Sequence, residues 1–283
     1  MKKIVILGCE NSHADGFLNV IREEELPLEV LGVYSDESDA AKRVSGKFSV
    51  PILQHFDDAV GKADGVMITA RHGGRHFPLA APYLPSGVPL FIDKPFSCSL
   101  ADGRAFCEEL KKYKNPVCGG SVMPKIPDVR TLRDAVACSG IGEIVGGSLI
   151  FPTFTDSPYG GYKFYASHML ETAMFLFGKD IRGVSASIMG KNMYCELIYD
   201  SFRVQSTMSD LRYYFFACII GKHGTVEKKP ILPSDMGKYE LAEFSALLDG
   251  KAPKQMPDEL LFPVRLIDAI DRALESGKSE AVL

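Results

Sequence analysis

Along the first 120 residues the spacing of apolar positions switches repeatedly between two periods. Lys3–Leu7, Leu28–Tyr34, Gly65–Thr69, Val88–Asp93 and Pro116–Gly120 are short, nearly continuous aliphatic runs, the pattern of strands buried on both faces. Phe17, Leu18, Val20 and Ile21 recur instead at helical spacing. Further helical stretches run from Asp39 to Phe48, from about Arg75 to Leu84 and from Leu100 to Tyr113. A shorter strand is expected at Ile52–Leu53, just after Pro51. Strands and helices alternating every roughly 30 residues predict a parallel sheet with right-handed crossovers.

Beyond residue 121 the pattern changes. Ile144–Thr153, Gly183–Met189, Met193–Tyr199, Arg203–Met208 and Tyr213–Ile220 read as successive strands separated by short polar turns, which predicts a mostly antiparallel sheet. His168–Phe177 reads as one helix closed by Gly178. So broad a sheet needs a cover, and the apolar density of Tyr213–Ile220 points to a second copy of the chain, in a homodimer or homotetramer. The fold class expected is therefore α/β followed by α+β: a doubly wound parallel sheet over residues 1–121, then an open, mostly antiparallel sheet with helices over 122–283.

Composition narrows the function. Of 283 residues 46% are apolar and 24% charged, the profile of a soluble globular chain with a sizeable core. The net charge is −4 and the densest basic stretch, Lys111, Lys112 and Lys114, reads as one solvated helix end, so neither nucleic acid nor an anionic membrane is an expected partner. Seven cysteines, an odd number with no Cys-x-x-Cys pair, argue against a disulfide framework and a zinc knuckle. The apolar run at the N-terminus is too short for a signal peptide, and no run approaches a ~20-residue membrane span. The expectation is a soluble, cytoplasmic protein.

In open parallel sheets, ligands sit beyond the carboxyl ends of the strands. The first such end reads Gly8-Cys9-Glu10-Asn11-Ser12-His13, where a dinucleotide site would show G-x-G-x-x-G. Only the first glycine is present. Glu10 stands where the backbone would approach a pyrophosphate, and its charge repels a phosphate unless it turns away. The bland alternative is a strand-to-helix turn capped by Asn11 or Ser12 with no phosphate bound. At the second strand end, Ser35 occupies the place of the usual ribose-binding carboxylate, with Asp36 one step later. Negative charge there tilts the choice toward NAD over NADP, while Lys42 and Arg43 pull the other way.

Three stretches together carry a family resemblance. They are Thr69-Ala-Arg-His-Gly-Gly-Arg-His76, Phe91-Ile-Asp-Lys-Pro-Phe96, and Tyr159-Gly-Gly-Tyr-Lys-Phe-Tyr-Ala-Ser-His-Met-Leu-Glu171. Their order and spacing resemble the glucose-fructose oxidoreductases, inositol dehydrogenases and MocA-type relatives. The hallmark Glu-Lys-Pro of that family appears as Asp93-Lys94-Pro95. The tail from Glu240 to Leu283, with Phe244, Gly250 and a Pro-Asp-Glu-Leu helix ending at Gly277, is also similar. The resemblance implies a Rossmann domain over 1–121 and a domain for substrate binding and oligomerisation over 122–283. It implies a nicotinamide cofactor, NAD or NADP, and hydride transfer to or from a hydroxyl of a sugar, cyclitol or related small molecule.

The residues expected at the cofactor are Gly8, Asn11, Ser12, His13, Ser35, Asp36, Thr69, Ala70, Arg71, His72, His76, Asp93 and Lys94. Lys94 is expected to be catalytic as well. A lysine at a strand end stabilises a substrate oxygen as it becomes alkoxide-like. His168 is expected as acid or base, since imidazole titrates near neutrality. The family often carries Asp four residues earlier, where this chain has Phe164. Tyr165 is the preferred substitute, with Lys163, Tyr162 and Glu171 as others, and Tyr162 and Tyr165 join Lys94 and His168 as expected substrate contacts. His72 and His76 are four apart, but the intervening glycines and flanking Arg71 and Arg75 disfavour a metal, and none is expected. The altered phosphate loop and Phe164 keep two alternatives open: a non-catalytic nucleotide- or sugar-binding protein, and an NAD-dependent lyase or glycosidase that uses transient oxidation.

Overall fold

The computed structural model describes residues 1–138, 140–210, 214–251 and 255–283. The chain forms two compact units, one of Met1–Gly120 with Ser234–Leu261, the other of Ser121–Pro233 with Phe262–Leu283. The expected domains divided the chain once, near 121. The structure corrects this: residues Ser234–Leu261 rejoin the first unit. The physical reason is coverage. A parallel sheet must be buried on both faces, and the helix Gly237–Leu248 places Leu241, Phe244, Leu247 and Leu248 in the core of that unit with Phe17 and Phe91.

In the first unit five strands, β1 (Lys2–Leu7), β2 (Leu28–Tyr34), β3 (Gly65–Ile68), β4 (Leu90–Asp93) and β5 (Val117–Gly120), form a wholly parallel sheet in the order β2-β1-β3-β4-β5. This is the parallel sheet that the alternating pattern implied, in the doubly wound Rossmann arrangement that the resemblance implied. The crossovers carry α1 (Ser12–Glu23), α2 (Ser38–Phe48) and α4 (Leu100–Tyr113). The short strand expected at Ile52–Leu53 is a single parallel bridge from Val33 to Ile52. The helix expected over Arg75–Leu84 is broken: a 3-10 turn at Gly73–Arg75, α3 (His76–Ala80), then a second 3-10 stretch over Ala81–Ser86. Pro82 and Pro85 cannot donate to a continuing helix.

The second unit is built on seven strands. In chain order they are β6 (Ile144–Pro152), β7 (Gly183–Met189), β8 (Asn192–Ile198), β9 (Arg203–Ser209), β10 (Phe216–Gly221), β11 (Gly224–Lys228) and β12 (Glu280–Ala281), and in space β11-β10-β6-β9-β8-β7-β12. Only the β6–β9 pair is parallel. Of the expected strand Tyr213–Ile220, Tyr213 lies outside the described residues, and β10 begins at Phe216. One face of the sheet is covered by α5 (Pro127–Cys138) and α6 (Lys163–Phe177). Ala166, Met169, Leu170, Ala173 and Leu176 of α6 are fully buried. Two late helices complete the chain, α7 (Gly237–Leu248) and α8 (Pro257–Ser276). Among the described residues no helix is long and apolar enough to cross a membrane.

Candidate functional site

The strand order reverses at β1 and β3, so their carboxyl ends are where an open sheet of this type takes its ligand. Gly8 ends β1 with φ +89°, and a Cβ built on it would lie 2.3 Å from the Ala70 nitrogen. Only glycine permits that approach. Thr69, fully buried, secures it by donating its hydroxyl to the Gly8 carbonyl at 3.0 Å. Asn11 caps α1, its Oδ1 accepting from the His13 N–H at 3.3 Å, and Ser12 stands exposed at the helix start. Glu10 is turned toward the neighbouring strand ends. Its Oε2 accepts from Ser35 Oγ at 2.7 Å and its Oε1 from the Arg71 N–H at 3.0 Å. The charge is thereby met by two donors.

Asp93, at the end of β4, is the hub of this edge. Its Oδ2 accepts from Asn11 Nδ2 at 3.0 Å and pairs with His13 Nδ1 at 2.7 Å, while its Oδ1 accepts from the Lys94 N–H at 2.7 Å. Burial pushes this carboxyl up, but His13, by charge and hydrogen bond, and the Lys94 charge outweigh it and hold it at about 2. The buried Asp93 is therefore a carboxylate at neutral pH, and the His13 ring, 14% exposed, is held in a fixed orientation. Lys94 follows with 1% of its surface exposed, so it is no surface lysine; its peptide bond to Pro95 is cis. Gly73 packs against Pro95, where a Cβ would meet the Pro95 carbonyl oxygen at 2.6 Å. The 69–76 loop is thereby tied to the Asp93-Lys94-Pro95 turn.

Three expected cofactor residues have other duties. His76 is completely buried, with Nε2 donating to the Ala70 carbonyl at 2.8 Å, and burial lowers its pKa. It props the loop from within. His72 accepts the Gly74 N–H on Nδ1 at 3.1 Å, capping the 3-10 turn. The two histidines thus bind different backbone groups. Asp36 is held by Arg75 at 2.7 and 3.1 Å and by the Tyr34 hydroxyl at 3.0 Å, so it enters an ion pair at the surface. Among the described residues no group of three or more His, Cys, Asp or Glu side chains is arranged to hold a metal.

In the second unit His168 lies buried on α6. Its Nδ1 is 2.7 Å from Ser121 Oγ, and Ser121 receives the Met123 N–H at 3.1 Å on the same oxygen. The Ser121 N–H donates to Glu171 at 2.8 Å, and Thr172 donates to the His168 carbonyl at 2.7 Å. The half-buried Tyr165 ring sits 6.3 Å from the imidazole and 4.9 Å from Phe164. Tyr162 departs from its expected role. It is buried, and its hydroxyl donates to Asp271 of α8 at 2.7 Å, where Lys163 also pairs at 2.6 Å. Burial and the Asp271 charge push the Tyr162 hydroxyl far above the usual phenol range. It anchors α6 to α8.

Residues 2–120 match the oxidoreductase family with an NAD-binding Rossmann fold. Over these residues the chain is similar to that family. Solved structures resemble the whole chain in fold. The scyllo-inositol dehydrogenase of Lactobacillus casei, with bound NAD(H) and scyllo-inositol, is 16% identical with a TM-score of 0.84, covering 100% of this chain and 99% of that one. An NAD-binding oxidoreductase from Klebsiella pneumoniae is 15% identical with a TM-score of 0.82, covering 100% and 99%. An oxidoreductase from Agrobacterium radiobacter, in complex with NAD+, L-tartaric acid and magnesium, is 16% identical with a TM-score of 0.80, covering 99% and 98%. No curated protein matches the sequence.

Within the residues that match this family, the structure gathers Gly8, Asn11, Ser12, His13, Ser35, Thr69, Ala70, Arg71, Asp93 and Lys94 at one edge of the first sheet. Sequence reading missed the pairing of His13 with Asp93 and of Ser121 with His168. These partners are 80 and 47 residues apart. The available signal was positional: each pair includes a residue at a strand's carboxyl end.

Proposed function

We propose that the protein is an NAD(H)-dependent oxidoreductase that transfers hydride between the nicotinamide and a hydroxyl or carbonyl carbon of a sugar, cyclitol or related small molecule. The observation that carries this reading is Lys94: a lysine with 1% exposure directly after Asp93, at the carboxyl edge of the sheet whose family binds NAD. Burying an ammonium is costly, and such a group is kept where its charge is used. The donor set suits a dinucleotide. Glu10 is satisfied by Ser35 and the Arg71 N–H, which leaves exposed Ser12 and the oriented His13 ring at the start of α1 to meet a pyrophosphate. Ser35 lies on the ribose side, and Thr69, Ala70 and Arg71 line the nicotinamide side. When bound, the nicotinamide supplies the hydride donor or acceptor. Lys94 donates to the substrate oxygen and stabilises its negative charge. In the second unit, His168 and Tyr165 of α6 are the candidates for binding hydroxyl groups. The likeness in fold to a scyllo-inositol dehydrogenase supports a polyol. The free cysteines support a reducing, cytoplasmic setting.

The test is a fluorescence titration of the purified protein with NADH and with NADPH, followed by a screen of polyols and sugars for NAD(P)H production. Saturable binding of NADH, tighter than NADPH, and turnover of at least one polyol are expected. Binding without turnover on any of them would overturn the dehydrogenase reading in favour of a binding protein.

A further inference from the structure

Ser121 is almost wholly buried, and its few polar contacts constrain the proton on His168. A serine hydroxyl has one hydrogen and two acceptor lone pairs. The Met123 N–H takes one lone pair at 3.1 Å, and Nδ1 of His168 lies 2.7 Å from the same oxygen. Were Nδ1 protonated, it would fill the second lone pair. The hydroxyl hydrogen would then be buried with no acceptor among the described residues. Such an orphan carries the full desolvation penalty of a polar group. If the hydroxyl instead donates to Nδ1, the hydroxyl hydrogen, its oxygen and the Nδ1 lone pair are all satisfied.

We propose that Ser121 donates to Nδ1 of His168 and so holds the neutral ring with its proton on Nε2. Ser121 is thus a positioning residue. This deepens the reading of His168 as a substrate-binding group, and rests on it. A ring in that form meets a substrate oxygen as a hydrogen-bond donor: it stabilises a carbonyl or alkoxide oxygen rather than removing a hydroxyl proton at Nε2.

The experiment needs neither nucleotide nor substrate, so the tautomer assignment and the dehydrogenase reading fail separately. Long-range proton–nitrogen spectra of uniformly 15N-labelled protein at neutral pH distinguish the two neutral imidazole forms. The His168 signals are those lost in H168Q, or in H168N should the first variant not fold. The expected wild-type pattern is an unprotonated Nδ1 and a protonated Nε2. S121A should lose that pattern, and S121T, which keeps the hydroxyl, should retain it. A wild-type ring protonated on Nδ1, or an S121A spectrum identical to wild type, would overturn the assignment.

Discussion

Replacing Asp93 with asparagine removes one acceptor oxygen from the most crowded hydrogen-bond junction of the first unit. Oδ1 accepts from the Lys94 N–H, while Oδ2 serves both Asn11 Nδ2 and His13 Nδ1. An amide oxygen left on Lys94 puts an NH2 group against two donors. Each buried donor without an acceptor costs about 1–3 kcal/mol, so D93N should lose about 2–6 kcal/mol. The titration of the carboxyl sets the pH dependence. Its folded pKa of about 2 lies below the ordinary value of 3.8, so the stabilisation is fully present above about pH 4 and is lost as pH falls through about 2. A domain is stable by only about 5–15 kcal/mol. Urea unfolding at pH 7 should therefore show a clearly lower midpoint for D93N, with the difference from wild type shrinking toward pH 3. D93E keeps the charge, and its penalty should be confined to the extra methylene, about 1–3 kcal/mol. A D93N midpoint equal to wild type, or a difference unchanged by acid, would refute the account of Asp93 as a buried hub.

Three further outcomes are expected. E10G should bind NADH more tightly, because a negative charge leaves the phosphate loop, yet unfold at lower temperature, because Ser35 Oγ and the Arg71 N–H lose their acceptor; isothermal titration showing weaker binding would mean that Glu10 contacts the nucleotide favourably. K94A should lower kcat more than it raises KM on an active polyol, and H168A, losing one donor to the substrate oxygen, should slow turnover about 10²–10³-fold with NADH affinity unchanged; a wild-type kcat in H168A would make that residue a core histidine. Sedimentation at micromolar concentration should show a dimer or tetramer formed through the outer sheet face of the second unit, where Met189, Tyr194 and Ile220 are exposed, and a lone 31.0 kDa species would exclude it.

Much of the fold was legible because local patterns carried it. The β2 run ends where the periodicity ends, at Leu28 and Tyr34, and α4 spans Leu100–Tyr113 as its apolar stripe indicates. What the sequence by itself determined is the alternation of strands and helices in the first 120 residues, the switch to successive strands after 121, and the loops at the carboxyl ends of the first strands. These rest on side-chain periods of 2 and 3.6 and on glycines and prolines, all of which act over a few residues. Only the tertiary structure decided what joins distant residues. It brought Phe244 and Leu248 back to cover the first sheet, because a parallel sheet cannot leave a face in water. It turned Glu10 onto Ser35 and the Arg71 N–H, joined His13 to Asp93, set Ser121 against His168, and spent Tyr162 on Asp271. Each of these follows from the same rule, that a buried polar group must find a partner, and that partner is chosen by proximity in space, which no local pattern of residues records.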